Sequence, residues 1–293
     1  MENKENMNGN KNEKTGLVLE GGGLRGIFTA GVLDFFLEKN IEFDGCIGVS
    51  AGSCHACSYL SKQYKRAFNV SVDYLDDKRY CSMHSLITTG DLFGVDFVYG
   101  EIPDKLNPID NETFMKSRTK FQAVITNCRT GEAEYPEVKD FRTDTVYIRA
   151  SSSLPFLSKM VKINGELYLD GGVSDSIPIK KSIENGNIKN VIIMTRDKKY
   201  RKKQSKLGKI SAIRYKKYPK FVELMNTRFS RYNEILEYIY ELERQGKVFI
   251  IQPETPLNLG RIEKNKEKLT NVYNIGYEQA KKQYDALMEY LSK

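Results

Sequence analysis

Along most of the chain, short continuous runs of apolar residues alternate with longer segments in which apolar residues recur at helical spacing. Apolar runs predict strands at residues 17–20, 46–49, 121–127, 145–149, 190–195 and 247–251. Apolar residues at helical spacing predict helices at residues 26–37, 51–62, 220–245, 261–268 and 271–291. Strands that alternate with helices are typical of a parallel sheet, so the pattern predicts an α/β protein.

Three segments depart from this alternation. Residues 1–15 are polar and charged without apolar periodicity, which predicts a mobile tail. Residues 63–118 contain turns and short helical fragments, which we expect to form the roof of a cleft. Asn164-Gly165 lies between two alternating runs and predicts a tight hairpin. No repeat or linker divides the remainder, so residues 16–293 are predicted to form a single domain.

The first predicted strand runs into a glycine-rich turn, Gly21-Gly22-Gly23-Leu24-Arg25. A helix follows this turn, and the backbone N–H groups at a helix N-terminus favour negative charge. In a hydrolase such a turn forms an oxyanion hole, with Gly22, Gly23 and Leu24 as the donors. The sequence does not decide whether Arg25 adds charge to the turn, orients it or faces water.

The same glycines fit a second use, because Gly21, Gly23 and Gly26 match the G-x-G-x-x-G pattern of dinucleotide-binding crossovers. That pattern needs an acidic residue at the end of the next strand, where it holds a ribose hydroxyl. Here the acidic residue, Asp44, precedes the next strand, and that strand leads into Ser50 instead. Nucleotide binding is therefore the less favoured alternative.

The second predicted strand ends in Gly48-Val49-Ser50-Ala51-Gly52, which reads G-x-S-x-G. In a nucleophile elbow this pattern exposes a serine on a tight turn between strand and helix. The flanking Gly48 and Gly52 let neighbouring backbone pass closely, so Ser50 is the candidate nucleophile. A glycine-rich turn with a solvated serine is the alternative, since the pattern also arises by chance.

A serine nucleophile usually works with a histidine, and this chain has two histidines. His55 lies five residues after Ser50 on the same predicted helix, about 140° around its axis, and we expect it to face away from the elbow. His84 lies in a polar, loop-like stretch, and no histidine follows it. A base other than histidine is therefore required.

Asp170 is the candidate base, because the predicted hairpin delivers it to a strand end with Gly171 and Gly172 behind it. For that role the pKa of its carboxyl has to rise above the ordinary value of about 3.9 through desolvation in an apolar cleft. The alternative is an aspartate that only initiates a turn before glycine, which is common in loops.

The three motifs together, GGGLRG at 21–26, GVSAG at 48–52 and DGG at 170–172, resemble those of the patatin-like phospholipases, which use a Ser-Asp dyad. The resemblance implies a three-layer α/β/α fold with a mainly parallel central sheet and additional C-terminal helices. It also implies a lipid acyl hydrolase with Ser50 as nucleophile, Asp170 as base and residues 21–25 as oxyanion hole. A non-catalytic, membrane-associated protein that binds lipid is the other function that the sequence leaves open. No cofactor and no metal ion are expected.

Looser similarity to this family extends to the rest of the chain. Residues 150–156 resemble the small-residue segment that precedes its D-G-G strand, and residues 191–196 and 247–253 resemble its later strands. One departure lies at residues 173–178, where the family often carries an asparagine before the proline and this chain has Ser176-Ile177-Pro178.

Composition narrows the class of protein. The 293 residues are 40% hydrophobic with 18 Tyr and 14 Phe, which suffices for a full core. Neither a signal-peptide core nor a run of 18 apolar residues occurs, so we expect a cytoplasmic protein with reduced cysteines. Cys54, Cys57, Cys81 and His84 have a spacing compatible with zinc, but the first two lie on the predicted helix after Ser50, where small cysteines are ordinary core residues.

Positive charge is concentrated in one segment. Eleven Lys or Arg residues and no acid lie between Lys198 and Val222, which accounts for the whole net charge of +8. Tyrosines and isoleucines are interleaved with them, namely Tyr200, Ile210, Ile213, Tyr215 and Tyr218. The plainer interpretation is a solvated, lysine-rich insertion. The pattern also fits contact of the segment from Lys198 to Lys220 with an anionic membrane beside the cleft that takes the acyl lipid, at the inner face of that membrane. No motif supports a nucleic-acid partner.

Overall fold

The computed structural model of the protein describes residues 13–260 and 262–293, so most of the predicted tail lies outside the described residues. Within them the strands are β1 Thr15–Leu19, β2 Gly45–Val49, β3 Lys120–Asn127, β4 Ala133–Glu134, β5 Val161–Ile163, β6 Glu166–Asp170, β7 Lys189–Ile193 and β8 Val248–Ile251. The α-helices are α1 Ile27–Glu38, α2 Ala51–Leu60, α3 Arg66–Val72, α4 Met83–Thr89, α5 Asn111–Met115, α6 Phe141–Ser151, α7 Ile179–Glu184, α8 Gly208–Arg214, α9 Pro219–Arg244, α10 Lys266–Lys282 and α11 Tyr284–Ser292. Two short 3₁₀ helices, Gly23–Gly26 and Gly171–Val173, and a π-helix, Phe97–Leu106, complete the described elements.

The described strands form one mixed sheet in the order β5-β6-β3-β2-β1-β7-β8, with β4 paired to β3. Strands β3, β2, β1, β7 and β8 run parallel to one another. Strands β4, β5 and β6 pair antiparallel at one side. The predicted α/β fold with a mainly parallel central sheet is therefore confirmed.

Helices cover both faces of this sheet. Leu17 and Leu19 of β1 pack into the core formed with α1 and α10, whereas Val18 between them packs into the core formed with α7 and α9. Alternate residues of a strand point to opposite faces, so a continuous apolar run such as β1 fits a strand buried on both sides. The result is the expected three-layer arrangement.

Helices α1 and α10 cross at close range through two glycines. A Cβ on Gly31 would collide with the carbonyl oxygen of Tyr273, and a Cβ on Gly276 would collide with that of Phe28. The Tyr273 hydroxyl also donates to the Asp34 carboxylate at 2.7 Å inside this contact. Helix α10 is thus packed against the helix that follows the glycine-rich turn.

One predicted strand is wrong, because residues 145–149 lie in helix α6. The Asp140 side chain caps this helix by accepting from the Arg142 N–H at 2.9 Å. Ile148 is buried in the core that contains α1, and Ala150 is buried on another side of the helix with Ile125 and Tyr168 of the sheet. The β-branched residues of this segment favour a strand, but the Asp140 cap and the tertiary packing stabilise a helix.

Three predicted boundaries at the chain ends are also wrong. Thr15, which the sequence placed in the tail, begins β1, and its N–H donates to Asp44 at 2.7 Å. Helix α10 begins after its cap Asn265 and continues without the break predicted near residue 270; the break lies at Gln283 instead. Among the described helices, none is both long and apolar enough to cross a membrane.

Candidate active site

Ser50 lies on a tight turn between β2 and α2. Its backbone has φ 55° and ψ −122°, in a region that a serine seldom adopts and that costs conformational energy. The Ser50 N–H donates to the Ser151 hydroxyl at 2.9 Å, and its carbonyl accepts from the N–H groups of Ser53 and Cys54. These bonds hold a strained turn in place, which is the geometry that a nucleophile elbow requires.

The two glycines of the elbow are required by close packing. A Cβ on Gly48 would lie 2.6 Å from the Ser53 Cα, and a Cβ on Gly52 would lie 2.6 Å from the Leu19 carbonyl oxygen. Real side chains do not fit at such distances, so α2 can leave β2 this sharply only with glycine at both positions.

The glycine-rich turn lies directly beside Ser50. A Cβ on Gly21 would lie 2.9 Å from the Ser50 Cβ. Gly23, with φ 57°, begins the 3₁₀ helix Gly23–Gly26, and Leu24 and Arg25 are buried within it. The first N–H groups of a helix lack intrahelical acceptors, so the turn presents donors at the end of β1 next to the elbow.

A buried carboxylate anchors this turn to the rest of the fold. Glu20, at the end of β1, accepts from the Tyr232 hydroxyl at 2.6 Å and from the Thr195 N–H at 2.7 Å. This anchor is not visible in the sequence, because both partners of Glu20 are far away in the chain, one after β7 and one on α9. No local pattern marks Glu20 as different from other strand-end acids.

Asp170 ends β6, two strands away from the elbow. β6 pairs with β3 through Asp170 and Ile125, and β3 pairs with β2 through Val124 and Val49. The Asp170 carboxylate is buried and accepts from the Gly172 N–H at 2.7 Å.

Gly171 explains why the chain can turn directly after Asp170. A Cβ on Gly171 would collide with the Val124 carbonyl oxygen, so glycine is required there. The turn is held from outside by Arg231 on α9, whose guanidinium donates to the carbonyls of Val173 and Ser174 at 2.9 and 2.7 Å.

Ser50 and Asp170 line the same cavity, which we call the polar pocket. Of the predicted site residues, Gly21, Gly22, Gly23, Arg25 and Gly172 also line it. Further side chains in its wall were not predicted as site residues, among them Glu20, Arg196, Tyr200, Lys202, Arg228 and Tyr232. The structure thus brings the predicted nucleophile, base and oxyanion turn together, while their chemical roles stay predictions.

Ser176, from the stretch that departs from the patatin pattern, also lines the polar pocket. Its hydroxyl donates to the Gly172 carbonyl at 2.7 Å. The Arg228 Nε donates to the same carbonyl at 2.5 Å. The departure therefore lies in the wall of the site, beside the turn that follows Asp170.

A second cavity, the apolar pocket, also begins at Ser50. It follows one face of α2, where Ala51, Cys54, His55 and Ser58 recur at helical spacing. Its opposite wall comes from the segment predicted to roof a cleft, through Ala67, Val70, Val98, Tyr99 and Ile102. Ser50 lies where the two pockets meet.

Neither histidine stands in for Asp170. His55 is buried, and its Nε2 would lie 3.1 Å from a Cβ on Gly26. His55 also lines the apolar pocket. Burial lowers the pKa of His55 to about 4, so the ring is neutral at pH 7. His84 is exposed on α4 and not in a loop. Of the described residues that line the polar pocket, none is a histidine.

The positions of Asp44 and of the cysteines bear on two alternatives from the sequence, nucleotide binding at the glycine-rich turn and zinc binding. Asp44 lies just before β2 and accepts from Thr15, at the opposite end of the strands from the glycine-rich turn. It therefore does not reach a ligand at that turn. Among the described residues, no group of three or more His, Cys, Asp or Glu side chains is placed to hold a metal ion. Burial raises the pKa of the Cys54 and Cys57 thiols.

Only part of the lysine- and arginine-rich segment from Lys198 to Lys220, here called the basic segment, is exposed to solvent. Tyr215, predicted to lie at the level of lipid headgroups, is buried, and its hydroxyl accepts from the Phe156 N–H at 2.8 Å. Lys198 and Arg201 form ion pairs with acids of α9, Glu243 at 3.1 Å and Glu237 at 2.6 Å. On α8 and the residue before it, three apolar side chains are exposed, Leu207, Ile210 and Ile213.

Two family models match the chain. Residues 17–181 match the model of the patatin-like phospholipases. Residues 218–292 match a domain of unknown function, DUF6363. The first match contains Ser50, Asp170 and the glycine-rich turn; the second contains α10, which packs on α1.

Individual proteins are similar to this chain over most of its length. The uncharacterized protein YjjU of Escherichia coli (strain K12) is 28% identical over 83% of this chain and 69% of its own length. The probable lipid hydrolase 463L of Invertebrate iridescent virus 6 is 24% identical over 90% of this chain and 87% of its own length. Among solved structures, VipD from Legionella pneumophila matches with a TM-score of 0.45 at 15% identity, over 96% of this chain and 67% of that one.

A shorter region is shared with a much larger enzyme. Lysophospholipase NTE1 of Candida albicans is 28% identical over 62% of this chain and 13% of its own length. The patatin-like model, by contrast, covers more than half of this chain and includes all three motifs singled out from the sequence. The chain belongs to the patatin-like phospholipase family.

Proposed function

We propose that this protein is a lipid acyl hydrolase that cleaves carboxylic ester bonds of phospholipids or related acyl lipids with a Ser50-Asp170 dyad. One observation carries the proposal: Ser50 lies where an apolar pocket meets a polar pocket that also contains Asp170. The names of two relatives, a probable lipid hydrolase and a lysophospholipase, support a lipid substrate.

The proposed reaction is a two-step acyl transfer. The Ser50 Oγ attacks the ester carbonyl carbon while Asp170 takes the hydroxyl proton. Donors of the glycine-rich turn stabilise the oxyanion of the tetrahedral intermediate, each worth roughly 3 kcal/mol. The intermediate collapses, Asp170 returns the proton to the leaving alcohol, and an acyl group stays on Ser50. Water then attacks the acyl-enzyme, with Asp170 as base again, and releases the fatty acid.

Labelling with a fluorophosphonate probe tests this proposal. The probe should modify Ser50, as located by mass spectrometry of the digested protein, because it reacts with serines activated by a base. Ser50→Ala should abolish labelling. Ser152→Ala, which removes another hydroxyl of the apolar pocket wall, is the matched control and should leave labelling intact. A wild-type protein that stays unlabelled at Ser50 would refute the nucleophile.

We also propose that residues 198–220 bind to the cytoplasmic side of an anionic membrane. The exposed Leu207, Ile210 and Ile213 lie among the lysines of α8 and the preceding loop, which suits insertion at a negatively charged interface. Ile213→Glu should reduce sedimentation with phosphatidylglycerol vesicles several-fold. The matched change on another exposed helix, Ile87→Glu on α4, should not. Equal sedimentation of both variants with these vesicles would contradict the role of α8.

A further inference from the structure

The apolar pocket has one charged side chain among the described residues that line it, Arg66. No Asp or Glu of the described chain lines this pocket, and its histidine, His55, is neutral at pH 7. Arg66 is only 8% exposed, in the wall of a cavity whose other side chains are mostly apolar. A buried cation without an anionic partner costs free energy, so Arg66 stands out from the rest of this wall.

The hydrogen bonds of Arg66 go to neutral groups. Its Nη1 donates to the Ser58 hydroxyl at 3.1 Å, and its Nη2 donates to the Asn107 carbonyl at 2.9 Å. The Nε is buried and has no acceptor among the described residues. Burial lowers the pKa of the guanidinium, and no acid of the described residues offsets that effect. The guanidinium can therefore still bind a carboxylate that enters the pocket.

The distance between Ser50 and Arg66 is set by α2. Ser58, the partner of Arg66, follows Ser50 by eight residues along this helix, which corresponds to about 12 Å at a rise of about 1.5 Å per residue. Carbon–carbon bonds of about 1.5 Å advance an extended chain by roughly 1.25 Å per carbon. An acyl chain of roughly ten carbons on Ser50 that follows α2 therefore ends at the guanidinium.

An acyl chain with an anionic end fits this pocket better than a plain chain. The methylene groups contact the apolar wall at Val70, Val98 and Ile102. A terminal carboxylate accepts two N–H groups of a guanidinium, and such charge-assisted bonds are about twice as strong as neutral ones. A terminal methyl group at the same place would leave the buried charge of Arg66 uncompensated.

We propose that the apolar pocket takes the monoester of a medium-chain dicarboxylic acid, with the scissile carbonyl at Ser50 and the free carboxylate at Arg66. Hydrolysis consumes one water molecule and releases the dicarboxylic acid and the alcohol. The inference rests on the proposed acyl hydrolase activity, and it assigns the choice of acyl chain to a residue from outside the three motifs.

A matched pair of 4-nitrophenyl esters tests this site. The monoester of decanedioic acid has a free carboxylate, and its methyl-capped form has the same chain with a neutral end. The wild type should cleave the free acid with a kcat/KM at least tenfold higher. In Arg66→Gln this ratio should fall at least tenfold, mainly through a higher KM for the free acid. Arg66→Lys, which keeps the charge, should retain part of the preference.

The matched control is Lys65→Gln. It removes a positive charge from the exposed neighbour of Arg66, so the ratio should stay that of the wild type. Arg66 also ties α3 to α2 and to the chain after the π-helix, so thermal unfolding of each variant is measured beside the kinetics. A structural role alone predicts that Arg66→Gln slows both esters equally, and that result would overturn the site.

A length series with the wild type alone makes the test independent of how the variants fold. Monoesters of hexanedioic, decanedioic and tetradecanedioic acid are each compared with their methyl-capped forms, and the ratio should be largest for decanedioic acid. A preference that does not depend on length would place the recognition outside the pocket and overturn the assignment to Arg66.

Two further results separate this inference from the proposed function. Ratios near or below one at every length, as expected if Arg66 binds a separate small anion or none, would overturn the carboxylate site while the hydrolase stands. Failure of the wild type to cleave any of these esters would overturn the proposed function and the inference with it.

Discussion

The two pockets that meet at Ser50 are built from different parts of the chain. The apolar pocket is lined by residues between 23 and 154, mostly on helices close to one another in sequence. The polar pocket combines Glu20 after β1, Asp170 at the end of β6 and Tyr232 on α9. Apolar walls need only burial and volume, whereas polar walls need specific partners from distant segments. We therefore expect changes in the polar pocket to affect the chemical step and changes in the apolar pocket to affect the choice of acyl chain.

The largest expected effect is at Asp170. Asp170→Asn should lower hydrolysis of a short p-nitrophenyl ester about 10⁴-fold, because the amide cannot take the Ser50 proton. The fold should persist, since an amide oxygen still accepts from the Gly172 N–H. Ester hydrolysis and thermal unfolding are measured side by side.

The control is Asp175→Asn, a nearby acid bonded to Tyr135 outside the polar pocket, which should keep activity close to that of the wild type. Wild-type rates in Asp170→Asn would show that the dyad is wrong.

The next effect concerns His55 in the wall of the apolar pocket. Its pKa is about 4 when folded and about 6.5 when unfolded, so the unfolded chain binds the proton more readily between these values. Stability should therefore fall as pH drops from 6.5 to 4, by up to roughly 3 kcal/mol from this residue.

Urea unfolding at pH 7.5 and pH 4 should show a smaller loss in His55→Asn than in the wild type. His84→Asn, on exposed α4, should behave like the wild type. An identical pH dependence in His55→Asn and the wild type would contradict the assignment.

A smaller effect is expected at the anchor of the glycine-rich turn. Tyr232→Phe removes the hydroxyl that donates to Glu20 and leaves a buried carboxylate with one donor fewer, which costs about 2 kcal/mol of unfolding free energy. Urea unfolding measures this loss, and kcat should fall with it because the turn loses its tether. Tyr238→Phe, exposed on the same helix, should change neither quantity.

The smallest effect belongs to the apolar pocket. Val70→Phe fills space along α3 and should lower kcat/KM for a decanoyl p-nitrophenyl ester about tenfold relative to the acetyl ester. The comparison of the two esters is the internal control. A loss of the same size for both would mean that the pocket does not hold the acyl chain.

Local motifs explain why much of the site was predictable from the sequence. Ser50, Gly48 and Gly52 stand in one pentapeptide whose steric demands are local, and the glycine-rich turn has the same property. The Asn164-Gly165 hairpin located Asp170 at a strand end because turn chemistry fixes strand register. These features depend on neighbours in sequence, which a pattern can show.

Long-range partners explain what was missed. Glu20 became important only through Thr195 and Tyr232. Its side chain looks like that of an ordinary surface residue until the sheet and α9 come together. Tyr215 shows the reverse error, because a tyrosine amid lysines read as surface and is buried against Phe156.

The glycine crossing between α1 and α10 has a consequence for protein engineering. Gly31 lies in the patatin-like match and Gly276 in the DUF6363 match, so neither matched segment has its own complete hydrophobic interior. A fragment ending before residue 218 would leave α1 exposed to water and should aggregate. Exchange of the C-terminal segment between relatives should yield folded chimeras only where the incoming helix also places a very small residue at this crossing.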